Sequence, residues 1–230
     1  MQANRLVIAI DGPAASGKST TAQKVAERLG YLYVDTGAMY RAVTLEVLRR
    51  GIDPDEEPAV ADVVRSVNVE LKRSAAGLLV LLSGEDVTRE IRSPDVTRNV
   101  SAVSRIRSVR EYLVRMQRSL GARGGVVLEG RDIGTVVFPG ADLKIYMVAD
   151  LPARSRRRAD ELRSQGMTVE EGELADEIHR RDMLDSTRAE SPLLKAPGAI
   201  EVDTSSMTID GQVELVVRKA KELLEKKAKG

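Results

Sequence analysis

The clearest chemical signal in the chain is a glycine-rich stretch near its start, IAIDGPAASGKSTTAQ at residues 8–23. It contains Gly12-x-x-x-x-Gly17-Lys18-Ser19, in which glycines allow backbone N–H groups to turn inward and contact phosphate oxygens that a Cβ would obstruct. A lysine at this spacing reaches β- and γ-phosphates, and the hydroxyl after it can bind Mg²⁺. The helix that follows adds its N-terminal dipole. The stretch therefore predicts a loop that binds the phosphates of a nucleoside triphosphate.

The composition narrows the class of protein. The 230 residues carry a net charge of +1, with 42% hydrophobic and 31% charged residues, which is ordinary for a globular enzyme. Without a basic excess, the chain is not expected to bind nucleic acid or membranes. There is no cysteine, which excludes a thiolate metal site, and the one histidine, His179, lies among charged residues in EIHRRD and is expected to be a solvated helix residue rather than a metal ligand. No leader or membrane-spanning stretch is predicted, so we expect a cytoplasmic protein.

The elements that must position the loop alternate between strand and helix. RLVIAI at 5–10 predicts a buried strand, and a helix is expected from about Lys18 to Gly30. YLYVDTG at 31–37 predicts a second strand, followed by a helix that ends at Gly51. This order is typical of a parallel sheet with helices on its faces.

The alternation then stops, which predicts a small insertion of strands and helices. Asp53–Pro58, acidic and with two prolines, is expected to be a connector. VNVELKRSAAGLLVLLSGEDVT at 67–88 predicts an antiparallel hairpin around Ser74-Ala75-Ala76-Gly77, with a third short strand at 85–88. Helices are expected at 93–100 and from about Ser104.

The core pattern resumes at residue 126. Strands are predicted at 126–132, 143–148 and 199–205, helices at 151–165 and 170–188, and a last helix from about Ile209. The sequence thus predicts an α/β fold with a five-stranded parallel sheet, and ligands beyond the carboxyl ends of its strands.

Three polar clusters near those predicted ends could hold a second, small anionic partner. They are DTGAMYR at 35–41, EGRDIGT at 129–135 and RRDMLDSTR at 180–188. In the second, Arg131 offers a bidentate fork for phosphate. In the third, spacings of four and three predict Arg181, Asp185 and Arg188 on one helix face. Surface salt bridges are the alternative interpretation of each cluster.

Other classes of phosphate-loop protein fit less well. A GTPase should show an Asn-Lys-x-Asp guanine reader, and none is present. LLSGED at 81–86 lacks the second glycine and the glutamine of a transporter ATPase signature. A motor on single-stranded DNA would need aromatic stacking residues, yet aromatics are only 3% of the chain.

The successive motifs resemble those of bacterial cytidylate kinases, a family of nucleoside monophosphate kinases. The resemblance runs from residue 6 to about 220 through IDGPAASGKST, DTGAMYRAVT, GEDVTREIRSPDV, SAVSRIRSVRE, LEGRDIGTVVFPGADLKIYM and RRDMLDSTRAESPL. It implies a single phosphate-loop (P-loop) kinase domain over 1–230, an inserted nucleoside-monophosphate-binding region at 53–103 and a helical lid at 151–170. It also implies transfer of the γ-phosphoryl of ATP to CMP or dCMP with Mg²⁺, in pyrimidine nucleotide salvage and supply.

The resemblance also implies roles for individual residues. It assigns cytosine contacts to Ser101, Arg110 and Asp132, sugar contacts to Arg181 and Asp185, and acceptor phosphate contacts to Arg41, Arg131 and Arg188, with Thr36 and Tyr40 among the substrate-binding residues. The lid would act through Arg154, Arg157 and Arg158, of which Arg157 contacts ATP. The catalytic residues would be Lys18, Arg131, Arg158 and Arg188. ATP would lie on the loop residues Gly12, Pro13, Ala14, Ala15, Ser16, Gly17, Lys18, Ser19 and Thr20, with Mg²⁺ on Ser19.

Two residues depart from the family pattern. Thr36 stands where serine is expected and keeps the hydroxyl, while Glu129 stands where aspartate is more usual. The second departure leaves open whether Glu129 acts on the Mg²⁺ side through water.

Two other functions stay open from the residues alone. One is another small-molecule kinase of this class, for UMP or shikimate, and the other is a nucleotide-dependent switch whose insertion contacts a protein. Substrate-dependent release of ADP separates the kinases from the switch. The charged helices offer no continuous apolar stripe, so we expect a monomer.

Overall fold

The computed structural model describes residues 5–74, 77–164, 166 and 170–229. The chain divides into two compact units, one formed by residues 1–33 and 121–230 and the other by residues 34–120. Each unit is described by itself. No helix in the described ranges combines the length and the apolar character that a membrane crossing requires.

The first unit contains most of a five-stranded sheet. Its strands are β1 (Val7–Asp11), β6 (Val126–Gly130), β7 (Leu143–Val148) and β8 (Ile200–Asp203), and β2 (Leu32–Asp35) begins in this unit and ends in the other. The strand order is β2-β6-β1-β7-β8, and β1 runs parallel to both β6 and β7. The predicted five-stranded parallel sheet is confirmed.

The helices of the first unit are α1 (Lys18–Leu29), α6 (Leu151–Ser164), α7 (Glu171–Thr187) and α8 (Ile209–Lys229). Helices α1 and α8 pack their apolar faces on this sheet, whereas α6 and α7 pack on each other through a smaller apolar cluster. The largest core cluster combines strand residues with one face of α1 and one face of α8, including Ile8, Ile10, Val25, Val213 and Val217. All of these side chains are almost fully removed from water, and because β1 and α1 both contribute to this core, the loop that connects them is held at both ends.

The second unit is built from helices and a small antiparallel sheet. Its helices are α2 (Thr36–Arg49), α3 (Glu57–Ser66), α4 (Pro94–Arg105) and α5, which starts at Arg107 and ends at Gly121 in the first unit. Its sheet has the order β3-β4-β5, from β3 (Val69–Ser74), β4 (Gly77–Leu82) and β5 (Glu85–Asp86). The antiparallel pairing of β3 with β4 confirms the predicted hairpin, whose central residues 75 and 76 lie outside the described ranges.

Two predictions about local structure are wrong. Asp53–Pro58 is not a connector throughout, because helix α3 already begins at Glu57 with Pro58 in its first turn. Proline is tolerated there since the N–H groups of a first helical turn have no intrahelical acceptor. Arg188 does not lie on the same helix face as Arg181 and Asp185, because α7 ends at Thr187 and Arg188 has extended backbone angles, φ −61° and ψ 142°.

Candidate active site

The phosphate-binding loop connects β1 to α1, and its shape depends on two glycines. Gly12 has φ +153°, and a Cβ there would lie 2.2 Å from the carbonyl oxygen of Met147. Gly17 has φ +90° and is the N-cap of α1, where no side chain accepts a hydrogen bond from the first turn. The amide groups at this helix start are therefore suited to an anion.

Lys18 is buried beneath the loop, where its surroundings disfavour the charged form of its amine. Its Nζ donates to the carbonyl oxygen of Pro13 at 2.7 Å, and the residue is only 5% exposed. Burial, followed by the positive charge of Arg131, lowers the pKa of Lys18 from 10.5 to about 7, although Glu129 opposes the shift. A bound phosphate would supply the missing negative charge.

Arginines surround Lys18 from the ends of β6 and α7. The Nε of Arg131 donates to Asp185 Oδ2 at 2.7 Å. Burial opposes the charge on Asp185, yet the nearby charges of Arg131 and Arg181 outweigh it and lower the pKa of this carboxyl group. Burial, and then the charge of Arg131, lowers the pKa of Arg181. Lys18, Arg131 and Arg181 therefore repel one another, which a polyphosphate would relieve.

Two buried arginine nitrogens in this unit also indicate that an anionic ligand binds here. The Nε atoms of Arg154 and Arg181 are buried and have no hydrogen-bond partner in the described part of the chain. A buried donor without an acceptor is costly, and such groups in a native protein are often explained by a ligand. Arg154 also pairs through Nη1 with Asp182, and the same nitrogen lies 3.4 Å from the carbonyl oxygen of Ala14 in the phosphate loop.

The remaining arginines of the predicted lid and acceptor site have defined positions. Both terminal nitrogens of Arg157 donate to Thr204, whose own hydroxyl donates to the Ser16 carbonyl of the loop at 2.9 Å. Arg158 pairs with Glu161 at 2.9 Å on the same helix. Arg188 donates through Nε to the carbonyl oxygen of Ser191 at 2.7 Å. Of the predicted lid, residues 165 and 167–169 lie outside the described ranges.

In the second unit, the predicted substrate residues lie on α2, α4 and α5. Asp35 caps α2 by accepting from the Ala38 N–H at 2.8 Å, which places the buried Thr36 in the first turn. The guanidinium carbon of Arg110 lies 5.5 Å from the centre of the Tyr40 ring, a cation–π distance. Arg110 is 4% exposed and donates to the Ser104 carbonyl at 3.1 Å.

Two further predicted residues of this unit are less deeply buried. Arg41 donates to Thr97 Oγ1 at 2.8 Å and to the Ile91 carbonyl at 3.2 Å. Ser101 is partly buried on α4. Asp132, the third predicted cytosine contact, is 4% exposed and belongs to the first unit. The structure thus brings Tyr40 and Arg110 together in one unit, and Arg131, Arg181 and Asp185 in the other.

Several polar residues around the loop were not assigned to the site from the sequence, although a Mg²⁺-side role of Glu129 through water was left open. Asp11, at the end of β1, accepts hydrogen bonds from the backbone N–H groups of Ile133 and Gly134. Glu129, buried on β6, accepts from the Tyr33 hydroxyl at 3.0 Å. Gln212 of α8 accepts from the Thr21 hydroxyl at 2.7 Å, directly under the loop. Asp11 could have been suspected, since a carboxylate that ends a buried strand beside the loop requires a partner.

The fold and this geometry define a class of protein. A glycine loop after the first strand of a parallel sheet, a buried lysine under it and several arginines around that lysine are typical of the P-loop phosphotransferases. The cytidylate kinase family model matches residues 8–222. The chain belongs to the cytidylate kinase family.

Individual relatives support the family assignment. The cytidylate kinase of Pelotomaculum thermopropionicum is 49% identical over 211 residues, which is 91% of this chain and 93% of that protein. The cytidylate kinase of Anoxybacillus flavithermus is also 49% identical, over 93% of this chain and 95% of its own length. A bifunctional pantoate ligase/cytidylate kinase of Synechococcus sp. is 50% identical over 96% of this chain but only 46% of that protein.

A solved structure supports the fold alone. A crystal structure of an uncharacterized protein from Eubacterium ventriosum matches with a TM-score of 0.52 at 11% identity, covering 95% of this chain and 99% of that one.

Proposed function

We propose that this chain transfers the γ-phosphoryl group of ATP to CMP or dCMP, giving CDP or dCDP and ADP. The observation that supports this most directly is the buried Lys18 beneath a phosphate-binding loop, close enough to Arg131 and Arg181 that their charges, after burial, lower its pKa. The family membership adds the acceptor, because the relatives named above are cytidylate kinases. The supply of cytidine diphosphates is the metabolic role that follows.

The donor would bind along the loop. The backbone of Gly12–Gly17 and the first turn of α1 would hold the phosphates, while Lys18 would contact the β- and γ-oxygens. The exposed Ser19 in that turn fits a Mg²⁺ ion that nucleotide phosphates also hold, and no cluster of three or more acidic, histidine or cysteine residues in the described ranges offers an alternative. When bound, Mg²⁺ would neutralise phosphate charge during transfer.

The protein would recognise the acceptor nucleotide through the charge of its phosphate and through its base. Arg131 and Arg188, with Arg41, would hold its phosphate, and Arg181 and Asp185 its sugar. Cytosine presents an amino donor at N4 and acceptors at N3 and O2. A carboxylate such as Asp132 can accept from N4, while Arg110 and Ser101 donate to the acceptors. Uracil would place an oxygen against the buried Asp132, so CMP should be strongly preferred over UMP.

Transfer itself requires positioning more than covalent chemistry. The attacking oxygen of CMP is already anionic, so no general base is needed, and the protein must align the groups and neutralise charge. Water must be excluded, or ATP would be hydrolysed. Helix α6 brings Arg154 to the loop carbonyl of Ala14 and Arg157 to Thr204, so it is suited to cover the transferring phosphate as a lid.

We also propose that the protein acts as a cytoplasmic monomer on free nucleotides, without binding nucleic acid or membranes. The near-neutral net charge of +1 supports the absence of nucleic-acid binding, because binding to polyanions generally requires a basic excess. Light scattering behind a sizing column, with and without added DNA, tests it.

Release of ADP with different acceptors tests the proposed activity. ATP and Mg²⁺ are supplied with CMP, dCMP, UMP or AMP, or with no acceptor. We expect release that depends on CMP or dCMP and is far slower with UMP and AMP. Equal use of UMP would contradict the role of Asp132, and release without any acceptor would contradict the transfer.

A further inference from the structure

Asp11 connects the phosphate loop to the segment that follows β6, and the proposed transfer requires these two parts of the first unit to be aligned. Through the chain it is the last residue of β1 and directly precedes Gly12 of the phosphate loop. Through its side chain it reaches the segment that follows β6. Its Oδ1 accepts from the Ile133 N–H at 2.8 Å, and its Oδ2 accepts from the Gly134 N–H at 2.7 Å.

The segment held by Asp11 is an irregular one. Ile133–Val137 forms a π-helical turn, and the Asp132 carbonyl accepts from the N–H groups of Val136 and Val137. A π-helical turn is rare and is frequently found at functional sites. The carboxylate of Asp11 caps the first two N–H groups of this turn, directly after Arg131 and Asp132.

An ionised carboxylate is costly at this position. Asp11 is 3% exposed, and burial raises its pKa from 3.8 to about 6 in spite of the two backbone hydrogen bonds. The neighbouring charge of Asp132 raises the pKa further, while that of Lys18 lowers it. A serine or asparagine has a single side-chain acceptor oxygen for these N–H groups, whereas a carboxylate presents a separate oxygen to each.

We propose that Asp11 is a positioning residue for phosphoryl transfer, whose carboxylate fixes the Arg131–Gly134 segment relative to the phosphate loop. The proposal rests on the proposed function, in which Arg131 and Asp132 contact the acceptor. It predicts that loss of the carboxylate damages use and selection of the acceptor more than binding of ATP.

The test compares Asp11→Asn with a change of a second aspartate, whose side chain contacts the other end of β1. Asparagine keeps one acceptor but turns an NH₂ group toward the second N–H, which displaces the turn. Asp142→Asn is the control, because Asp142 Oδ2 accepts from the N–H of Val7, the first residue of β1, at 2.7 Å. Both variants lose a carboxylate that binds the β1 region, but only one faces the transfer site.

We expect Asp11→Asn to lower kcat/KM for CMP by about 100-fold, the effect of a small misplacement of reacting groups. We also expect a severalfold lower preference for CMP over UMP, with a much smaller change in the directly measured dissociation constant of ATP. Asp142→Asn should leave the CMP-to-UMP preference unchanged. A preference in Asp11→Asn equal to that of the control, or an equal loss of ATP binding, would overturn the proposal.

Two further measurements keep the test decisive. If Asp11→Asn does not fold, Gly134→Ala serves, because the added Cβ would lie 3.3 Å from Asp11 Oδ2 and 3.0 Å from the Ala196 Cβ. It should also lower the preference for CMP, and an unchanged preference would overturn the proposal. Wild-type protein without CMP-dependent ADP release would instead contradict the proposed function.

Discussion

Lys18 is proposed to contact the phosphates of ATP, yet its environment in the free protein disfavours the charged amine. Its low pKa of about 7 comes first from burial and then from the charge of Arg131. At pH 8 the free protein therefore holds this amine largely uncharged, whereas the phosphates of ATP favour the charged form and restore its pKa toward 10.5. Binding of ATP is thus coupled to uptake of a proton.

Calorimetry in two buffers with different ionisation enthalpies measures this coupling. At pH 8 we expect wild-type protein to take up close to one more proton per bound ATP than Lys18→Met, since the variant lacks the titrating amine. Equal proton uptake by the two proteins would show that Lys18 is already charged in the free state.

Turnover should depend strongly on the same residue. Lys18→Ala removes the amine that we propose contacts the β- and γ-phosphates, and we expect kcat to fall by about 100-fold or more. The fold should persist, because Lys18 is a buried polar side chain whose amine donates to a loop carbonyl, and it is not part of the apolar core. Steady-state rates and circular dichroism test this, and turnover near that of wild type would contradict the role of Lys18.

Asp132 is expected to set the choice of base. Asp132→Asn can donate to uracil as well as accept from cytosine, so the ratio of kcat/KM for CMP to that for UMP should fall. A hydrogen bond to a charged group contributes about 1.5–3 kcal/mol, which corresponds to about tenfold or more in that ratio. The ratio is measured with both acceptors under identical conditions, and an unchanged ratio would assign base selection to other residues.

Helix α6 presents arginines in two different environments. Arg154 is 8% exposed, pairs with Asp182 and approaches the loop carbonyl of Ala14, whereas Arg156, two residues later, is exposed. We expect Arg154→Met to lower kcat by about 100-fold, the loss typical of one donor aimed at transferred charge. Arg156→Ala serves as the control on the same helix and should keep wild-type kcat. Equal effects would mean that α6 acts only through its overall charge.

The contact between α1 and α8 combines a buried hydrogen bond with exposed ion pairs. Gln212 is 1% exposed and accepts from the buried Thr21 hydroxyl, while the nearby Lys24–Asp210 pair has an Asp210 side chain that is 85% exposed. Gln212→Leu leaves the Thr21 hydroxyl without this acceptor and should lower the free energy of unfolding by about 1–3 kcal/mol.

Asp210→Ala is the matched change, and it should lower the free energy of unfolding by less than about 1 kcal/mol because exposed pairs are screened by water. Urea unfolding of both variants measures the difference. A loss in Asp210→Ala as large as that in Gln212→Leu would show that the exposed pair stabilises this contact as much as the buried bond.

The strands of the parallel sheet were predictable from the sequence, whereas helix α3 and the π-helical turn were not. The alternating β-branched and amphipathic runs predicted all five strands of the parallel sheet, because burial on both faces leaves a strong periodic signal. Helix α3 was missed because Pro54 and Pro58 suggested a connector, although Pro58 lies in the first helical turn, where proline is tolerated. The π-helical turn at Ile133–Val137 was missed because the carboxylate that accepts from its first two N–H groups belongs to Asp11, 122 residues before Ile133 in the chain.

The parts of the candidate site that lie in one continuous motif were predictable from the sequence, and the parts brought together from distant segments were not. The loop at Gly12–Ser19 is a continuous motif, and its glycines have the positive φ angles that the motif requires. The supporting residues Thr204 and Gln212 were not predicted, because their only signal is the tertiary contact with the loop. Roles of the acceptor residues came from family motifs rather than from spacing.

Across the whole chain, the central claim is the destination of the γ-phosphate. The family membership favours transfer to a small anionic acceptor over transfer to water, and the buried lysine with its neighbouring arginines is the charge arrangement that such a transfer requires. The two compact units divide the predicted substrate contacts, with the loop and Asp132 in one, and Tyr40 and Arg110 in the other. A substitution in one motif therefore tests only part of this claim.

The most direct test follows the phosphate itself. Protein, Mg²⁺ and CMP are mixed with ATP labelled in its γ-phosphate, and the labelled products are separated after a single turnover. We predict that nearly all transferred label appears in CDP, and that almost none is released when CMP is omitted. Label recovered mainly as inorganic phosphate, with or without CMP, would contradict the proposed transfer and favour a nucleotide-hydrolysing switch.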